Sequence, residues 1–379
     1  MNIADHLQAV KPSYIREILS DARAEGIISL AGGLPAPNLF PQQILREAMA
    51  CSAQIPGVFQ YDETQGYGPL LEYCEEVYSL SSDHCALACS GSQQAIDLIA
   101  RAYLNPGDGV AMEAPTYLGA LQVFELQQAR LESVPQLDEG PDLEALETAF
   151  ASGSIKMFYA VPDFHNPTGR CWSLAARQKV AQLCIQYRVL LIEDAPYRDL
   201  RFTGKPLPLV SSFCPDQAFL LRSFSKVCAP GIRVGIVTGL RKWLAPLITI
   251  KQCSDLHSSV PMQAVLLHVL KHPEYPQHID ELRRHYSIRH QALVSALSDQ
   301  LPPDYKVQAV DGGMFLWLTL PRGEPSPVAA AAMKAGVAVV PGDVFYSDPT
   351  QAQAALRLNF SYNEPEMLQE AVRRLSRVL

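Results

Sequence analysis

Short, almost wholly apolar runs recur through the middle of the chain, separated by stretches whose apolar positions repeat every three or four residues. CALAC (85–89), GVAMEA (109–114), KMFYAV (156–161), VLLIED (189–194), AFLLRS (218–223) and RVGIVTG (233–239) read as buried strands. QQAIDLIARAYL and LAARQKVAQLCIQYR, lying between them, carry the amphipathic period of helices. Strand alternating with helix over this length predicts an α/β fold, a mostly parallel sheet with helices on both faces.

Past about residue 275 the texture changes. A long helix near 276–300 is followed by strands near 305–320, a helix near 326–336 and strands near 337–340 and 355–360. The last helix is expected to start at Asn363, with Glu366 three residues on in a capping-box pattern. These elements predict a smaller C-terminal α+β domain over 276–379, after a large domain over 46–275. Residues 1–45 are too few for a domain and are expected to pack with the small one.

Composition narrows the function classes. The 379 residues are 48% hydrophobic, enough for a large core, and carry a net charge of −8 without a basic run. That balance argues against binding to a nucleic-acid backbone, which needs clustered cations. Residues 1–26 contain an early acid and no continuous apolar stretch, so no signal peptide is expected. No window approaches the apolar length of a membrane span. The nine cysteines are scattered and form no C-x-x-C, which fits reduced thiols in the cytoplasm.

Polar residues gather where the apolar runs stop. VLLIED ends in Glu193-Asp194, with Tyr197 three residues on, and in doubly wound sheets ligands sit beyond the carboxyl ends of strands. An acid there can be half buried and then needs a cationic partner. Ser90-Gly91-Ser92 leads from a strand into a helix, whose free N–H groups and dipole can hold a phosphate. FHNPTGR (164–170) is turn chemistry after another strand. In SFSKVCAPGIRVG (223–235), Lys226 and Arg233 flank small and turn-forming residues. Each piece alone has a plain structural reading: a capping acid, an ordinary N-cap, a loop. Together they suggest a phosphorylated pyridine aldehyde held by the lysine as a Schiff base, with the acid on the ring nitrogen and the arginine on the phosphate.

At this point the chain resembles the fold-type I, pyridoxal-phosphate-dependent aminotransferases of class I/II, in the branch of the 2-aminoadipate, kynurenine and aromatic aminotransferases. It is also similar to the effector domains of MocR-type regulators. The resemblance rests on SLAGGLPAPNLFP (29–41), YDETQGYGPL (61–70), SGSQQAIDL (90–98), EAPTYLGAL (113–121), PDFHNPTGR (162–170), EDAPYRDLRF (193–202) and SFSKVCAPGIRVG (223–235), in the expected order over nearly the whole chain. It implies pyridoxal 5'-phosphate as cofactor and amino-group transfer between an L-amino acid and a 2-oxo acid, such as glutamate and 2-oxoglutarate, through a pyridoxamine form.

The resemblance also implies roles. Lys226 forms the imine and shuttles the proton, Asp194 holds the pyridine nitrogen, and Tyr197 and Asn166 contact the ring oxygen. Gly91, Ser92 and Gln93 frame the phosphate with Ser223, Ser225 and Arg233. Tyr117 stacks on the ring. Tyr61 reaches the phosphate of a neighbouring subunit, which makes the protein a homodimer with shared sites. Arg357, which alternation directs away from the apolar face of its strand, grips the substrate α-carboxylate. Gly33, Asn166, Ser13 and Arg16 complete the substrate site, the last two on a mobile N-terminal helix. The chain departs from the branch in Ala195, where an aspartate is common, and in Val227-Cys228, read as packing.

A cluster of histidines, His268, His272, His278, His285 and His290, lacks the thiols and carboxylates that would complete a zinc site, so a solvated helical face is expected and no metal. A lyase or decarboxylase on the same scaffold is the alternative activity. A ligand-sensing regulator is a further one, disfavoured because the chain begins close to the aminotransferase N-terminal helix.

Overall fold

The computed structural model of the chain describes residues 3–7, 14, 18, 25–308 and 310–379. Ahead of the main sheet lies a short strand, β1 (Ile28–Ser29). The main sheet has eight strands: β2 (His84–Cys89), β3 (Gly109–Ala114), β4 (Arg130–Leu137), β5 (Gly140–Pro141), β6 (Ile155–Ala160), β7 (Leu190–Asp194), β8 (Ala218–Ser223) and β9 (Gly235–Leu240). Their order across the sheet is β2-β9-β8-β7-β6-β3-β4-β5. Strands β8, β7, β6, β3 and β4 pair in parallel, while β9 runs antiparallel to both its neighbours and β5 antiparallel to β4.

Why the strands read as unbroken apolar runs is visible in the packing. Residues on one face, such as Met157, Tyr159, Leu190 and Ile192, join a large core with the helix Ser92–Tyr103. Their alternates Phe158, Ala160, Val189 and Leu191 join a second core with the helices Leu143–Ala151 and Leu174–Tyr187. A sheet covered on both faces buries every strand position, so alternation of polarity disappears.

A second sheet, antiparallel and of four strands, is ordered β10-β11-β14-β13: β10 (Lys306–Val307), β11 (Phe315–Thr319), β13 (Val340–Pro341) and β14 (Ala355–Asn359). Strand β1 pairs in parallel with β12 (Val337–Ala338), which ties the start of the chain to its C-terminal part. No helix of the described residues is long and apolar enough to cross a membrane.

Three expectations need correction. β9 begins at Gly235 rather than 233, because Arg233 takes a left-handed φ of +54° that no strand residue adopts. The last helix starts with Pro365 at its first turn and Glu364 at its N-cap, and no side chain caps it. Asn363 instead donates to the Ser29 carbonyl at 2.8 Å, so a tertiary contact takes the side chain that the local pattern assigned to a cap. The histidines form a solvated face only in part: His290 is buried between Phe202 and Phe360, while His268, His272, His278 and His285 are half-buried and His278 donates to the Val227 carbonyl at 2.8 Å. His290 lies among the buried residues of the helix Tyr275–Gln300, whose packing against the rest of the fold is invisible in spacing.

Candidate active site

Parallel pairing sends the carboxyl ends of β3, β6, β7 and β8 to one edge of the sheet, and the residues just beyond them line a cavity of about 810 Å³. From β7 comes Asp194. The strand's alternation turns its neighbour Glu193 the other way, where it accepts the backbone N–H groups of Val210 and Ser211 at 3.0 and 2.7 Å. Ser223, Ser225 and Lys226 follow β8, Asn166 follows β6 and Tyr117 follows β3. The antiparallel course of β9 places its amino end at the same edge, which is how Arg233 arrives there.

At the end of β2, Gly91 has φ +93° and is the N-cap of the helix Ser92–Tyr103, with no side chain capping it. The first N–H groups of that helix therefore remain for a ligand, beside the Arg233 guanidinium, which donates to the Ser90 carbonyl at 2.7 Å. A Cβ on Gly91 would come within 3.1 Å of that guanidinium. Gln93 accepts from the Tyr117 hydroxyl at 3.2 Å and donates to the Gly119 carbonyl at 2.8 Å, which fixes both side chains on the cavity wall.

Asp194 is 2% exposed. Its Oδ2 accepts from the Tyr159 hydroxyl at 3.0 Å, while Oδ1 has no partner among the described residues. Burial pushes this carboxyl up to about 7. A buried carboxylate oxygen left bare is what a cationic ligand atom, such as a protonated pyridine nitrogen, would satisfy. Lys226 donates to the Gly33 carbonyl at 2.7 Å. Burial first, then the Arg357 and Arg233 charges, lower its ammonium to about 8.

Arg357 on β14 is 1% exposed rather than solvated. It donates to Asn166 Oδ1 at 2.8 Å and to the Ala31 carbonyl, and lies 4.5 Å from the Phe315 ring centre and 5.1 Å from that of Phe345. Its Nε has no partner among the described residues, and burial draws the guanidinium down to about 10. Asn166 Nδ2 donates in turn to the Tyr197 hydroxyl at 3.4 Å. Among the described residues neither Arg357 nor Arg233 forms an ion pair, so two cations and an open helix terminus face one cavity. That donor set fits a ligand carrying a phosphate and a carboxylate.

All but three of the residues singled out in the sequence line this cavity. Tyr61 does not: it is 77% exposed, with its ring edge on His257 at 5.8 Å. Ser13 and Arg16 lie outside the described residues. Tyr159 was missed. Inside KMFYAV it reads as one more core residue, and the only signal was that a buried tyrosine hydroxyl needs a partner.

Comparisons with known proteins identify the family. Residues 31–375 match the family model of class I and II aminotransferases. The chain is 36% identical to a 2-aminoadipate transaminase of Thermus thermophilus, over 98% of this chain and 94% of that protein. It is 34% identical to an aromatic-amino-acid aminotransferase of Thermococcus litoralis, over 98% and 92%. The crystal structure of a kynurenine aminotransferase of Pyrococcus horikoshii, in complex with PMP, superposes with a TM-score of 0.94 at 35% identity, over 99% of this chain and 96% of that one. The chain belongs to the class I and II aminotransferases, and its cofactor is pyridoxal phosphate.

Proposed function

We propose that this aminotransferase exchanges amino groups between 2-oxoglutarate or glutamate and a second, acidic or aromatic, amino or oxo acid, as a homodimer in the cytoplasm. The acid and aromatic classes are those named for its relatives. Bound pyridoxal phosphate supplies an aldehyde that condenses with amines and a ring that takes up negative charge. Lys226 Nζ, easily made neutral, is the amine that holds it and the base that moves a proton at the substrate Cα. Asp194 Oδ1 keeps the ring nitrogen protonated. Tyr197 and Asn166 hold the ring oxygen, and Tyr117 covers the ring face. Gly91, Ser92, Gln93, Ser223, Ser225 and Arg233 bind the phosphate.

Arg357 grips the α-carboxylate of every substrate with two parallel hydrogen bonds. Arg16 and Ser13 reach the distal group. Tyr61 of the partner subunit adds a contact to the phosphate. Exposed aromatics two residues apart, Phe59 at 76% and Tyr61 at 77%, support a covered surface there. The cavity then lies between a large domain, 46–275, and a small one, 276–379, that packs with residues 1–45.

One observation carries this reading: a single cavity gathers a lysine amine, a carboxylate oxygen and two guanidiniums, and among the described residues the oxygen has no partner and the guanidiniums no carboxylate. The test is kcat/KM for a panel of amino donors and 2-oxo acids with Arg357→Ala and Arg16→Ala. Arg357→Ala is expected to weaken all donors together, and Arg16→Ala mainly the acidic ones. Equal losses on glutamate and an aromatic donor in Arg16→Ala would remove its selective role.

A further inference from the structure

Next to the cavity, but not lining it, is a second set of buried polar groups. Glu113, on β3, is 2% exposed, and His165, one residue before Asn166, is fully buried. Glu113 Oε1 accepts from Gln136 Nε2 and Trp172 Nε1, both at 2.9 Å. Its other oxygen, Oε2, faces His165 Nε2 at 3.7 Å, and neither atom has a hydrogen-bond partner among the described residues.

The protons in this set can be counted. The Thr168 hydroxyl donates to Gln136 Oε1 at 2.7 Å, so towards His165 Nδ1, 3.1 Å away, it can only accept. His165 therefore carries a proton on Nδ1. A neutral ring then leaves Nε2 bare and aimed at Glu113 Oε2. Two bare acceptors face to face in a dry site repel, and one proton between them turns the repulsion into a hydrogen bond. A small side-chain rotation closes the gap. Burial pushes the carboxyl up to about 7 and the imidazole down to about 3, which puts that proton on oxygen. The other groups packed on the pair, Gln136, Trp172, Thr168 and the Val161 backbone N–H, are neutral, and the donors among them only partly offset the effect of burial on the carboxyl. The charged neighbour both feel is Arg170, itself paired with Asp138 at 2.9 Å.

We propose that Glu113 is a positioning residue for Asn166. Its un-ionised carboxyl donates to His165 Nε2 and, through the Nδ1–H of His165 and the Thr168 hydroxyl, holds the turn 165–168 so that the Asn166 amide meets both Arg357 and Tyr197. The kinetic consequence rests on the proposed role of Arg357 in gripping the substrate carboxylate; the histidine tautomer does not.

Holoenzyme variants Glu113→Gln and Glu113→Leu test this. A glutamine keeps an acceptor towards Gln136 and Trp172 and a donor towards His165, whereas leucine keeps neither. Nitrogen-15 NMR of the histidines at pH 6, with His165 assigned through His165→Asn, is expected to show a neutral ring protonated on Nδ1 in the wild type and in Glu113→Gln. Glu113→Leu is expected to raise KM for the amino donor by about tenfold, while affinity for pyridoxal phosphate stays within about twofold. Glu113→Gln is expected to restore KM to within about twofold of wild type. An imidazolium or an Nε2–H tautomer at pH 6 overturns the proposal, as does a Gln variant as impaired as the Leu one. Should Glu113→Leu not fold, the tautomer and the Gln variant still decide. If Arg357→Ala leaves KM unchanged, the carboxylate role fails, and the tautomer alone judges Glu113.

Discussion

Asp194 is worth following as a single side chain because its two oxygens have different fates. One is tied to Tyr159 and the other waits bare in the cavity. Asp194→Asn keeps the volume and removes the charge that holds a ring nitrogen protonated. Turnover in single-turnover kinetics is expected to fall about a hundredfold, the usual cost of a charge-assisted contact made at the transition state. A loss of only a few-fold would remove the assignment. Tyr159→Phe frees the second oxygen as well, and a smaller loss of about tenfold is expected in the same assay.

Lys226 gives a pH dependence at the same scale. Its ammonium is lowered from 10.5 to about 8 by burial and by the Arg357 and Arg233 charges. Only the neutral amine attacks an aldehyde, so capture of pyridoxal phosphate by the cofactor-free protein should accelerate as pH rises and level off above about 8. Stopped-flow absorbance measures this. Removing either arginine's charge should move the midpoint upward, and a wild-type midpoint near 10 would contradict the burial of this lysine.

Among the elements, the contact between β9 and the turn after β2 sets the anion site. Gly235 starts β9 directly against that turn. A Cβ there would lie 2.9 Å from the Gly91 backbone and 3.1 Å from the Arg222 carbonyl oxygen. Both obstacles are main chain and cannot swing aside as a flexible side chain does. Gly235→Ala is therefore expected to displace Gly91 and the helix terminus beyond it. Overpacking of this kind costs about 1–3 kcal/mol. Calorimetry should show a lower Tm, and fluorescence titration a weaker affinity for pyridoxal phosphate. Unchanged affinity would mean that the turn is not part of the phosphate site. Arg233, two residues before Gly235, is held left-handed at the same junction, so the strand's start and the guanidinium's position are set together.

For the whole molecule the decisive question is where Tyr61 acts, since within its own chain it stands outside the cavity and largely in solvent. If it serves the neighbouring subunit, light scattering should give a dimer. Mixing Lys226→Ala with Tyr61→Ala chains should then regenerate activity. A mixed dimer has one site with both residues intact, so random mixing restores about a quarter of the wild-type rate. No recovery after verified subunit exchange would place Tyr61 elsewhere.

The amino-acid sequence determined six of the eight strands of the main sheet and much of its edge, while β4 and the two-residue β5 carry no apolar run. Parallel strands buried on two faces need near-continuous apolar residues, which made their limits readable. The polar groups that end those runs, Asp194, Ser223 and Asn166, had to lie at one edge because the strands are parallel. Contacts between segments far apart along the chain left no local trace. The pairing of β9 with β2, the Gly33 carbonyl that receives Lys226, the partnership of Tyr159 with Asp194 and the approach of Glu113 to His165 all join such segments. Asn363 makes the same point, since its side chain fits an N-cap by local pattern yet bonds to Ser29. Hydrophobic periodicity records how each element meets the core; which polar groups meet one another is settled only when the elements pack.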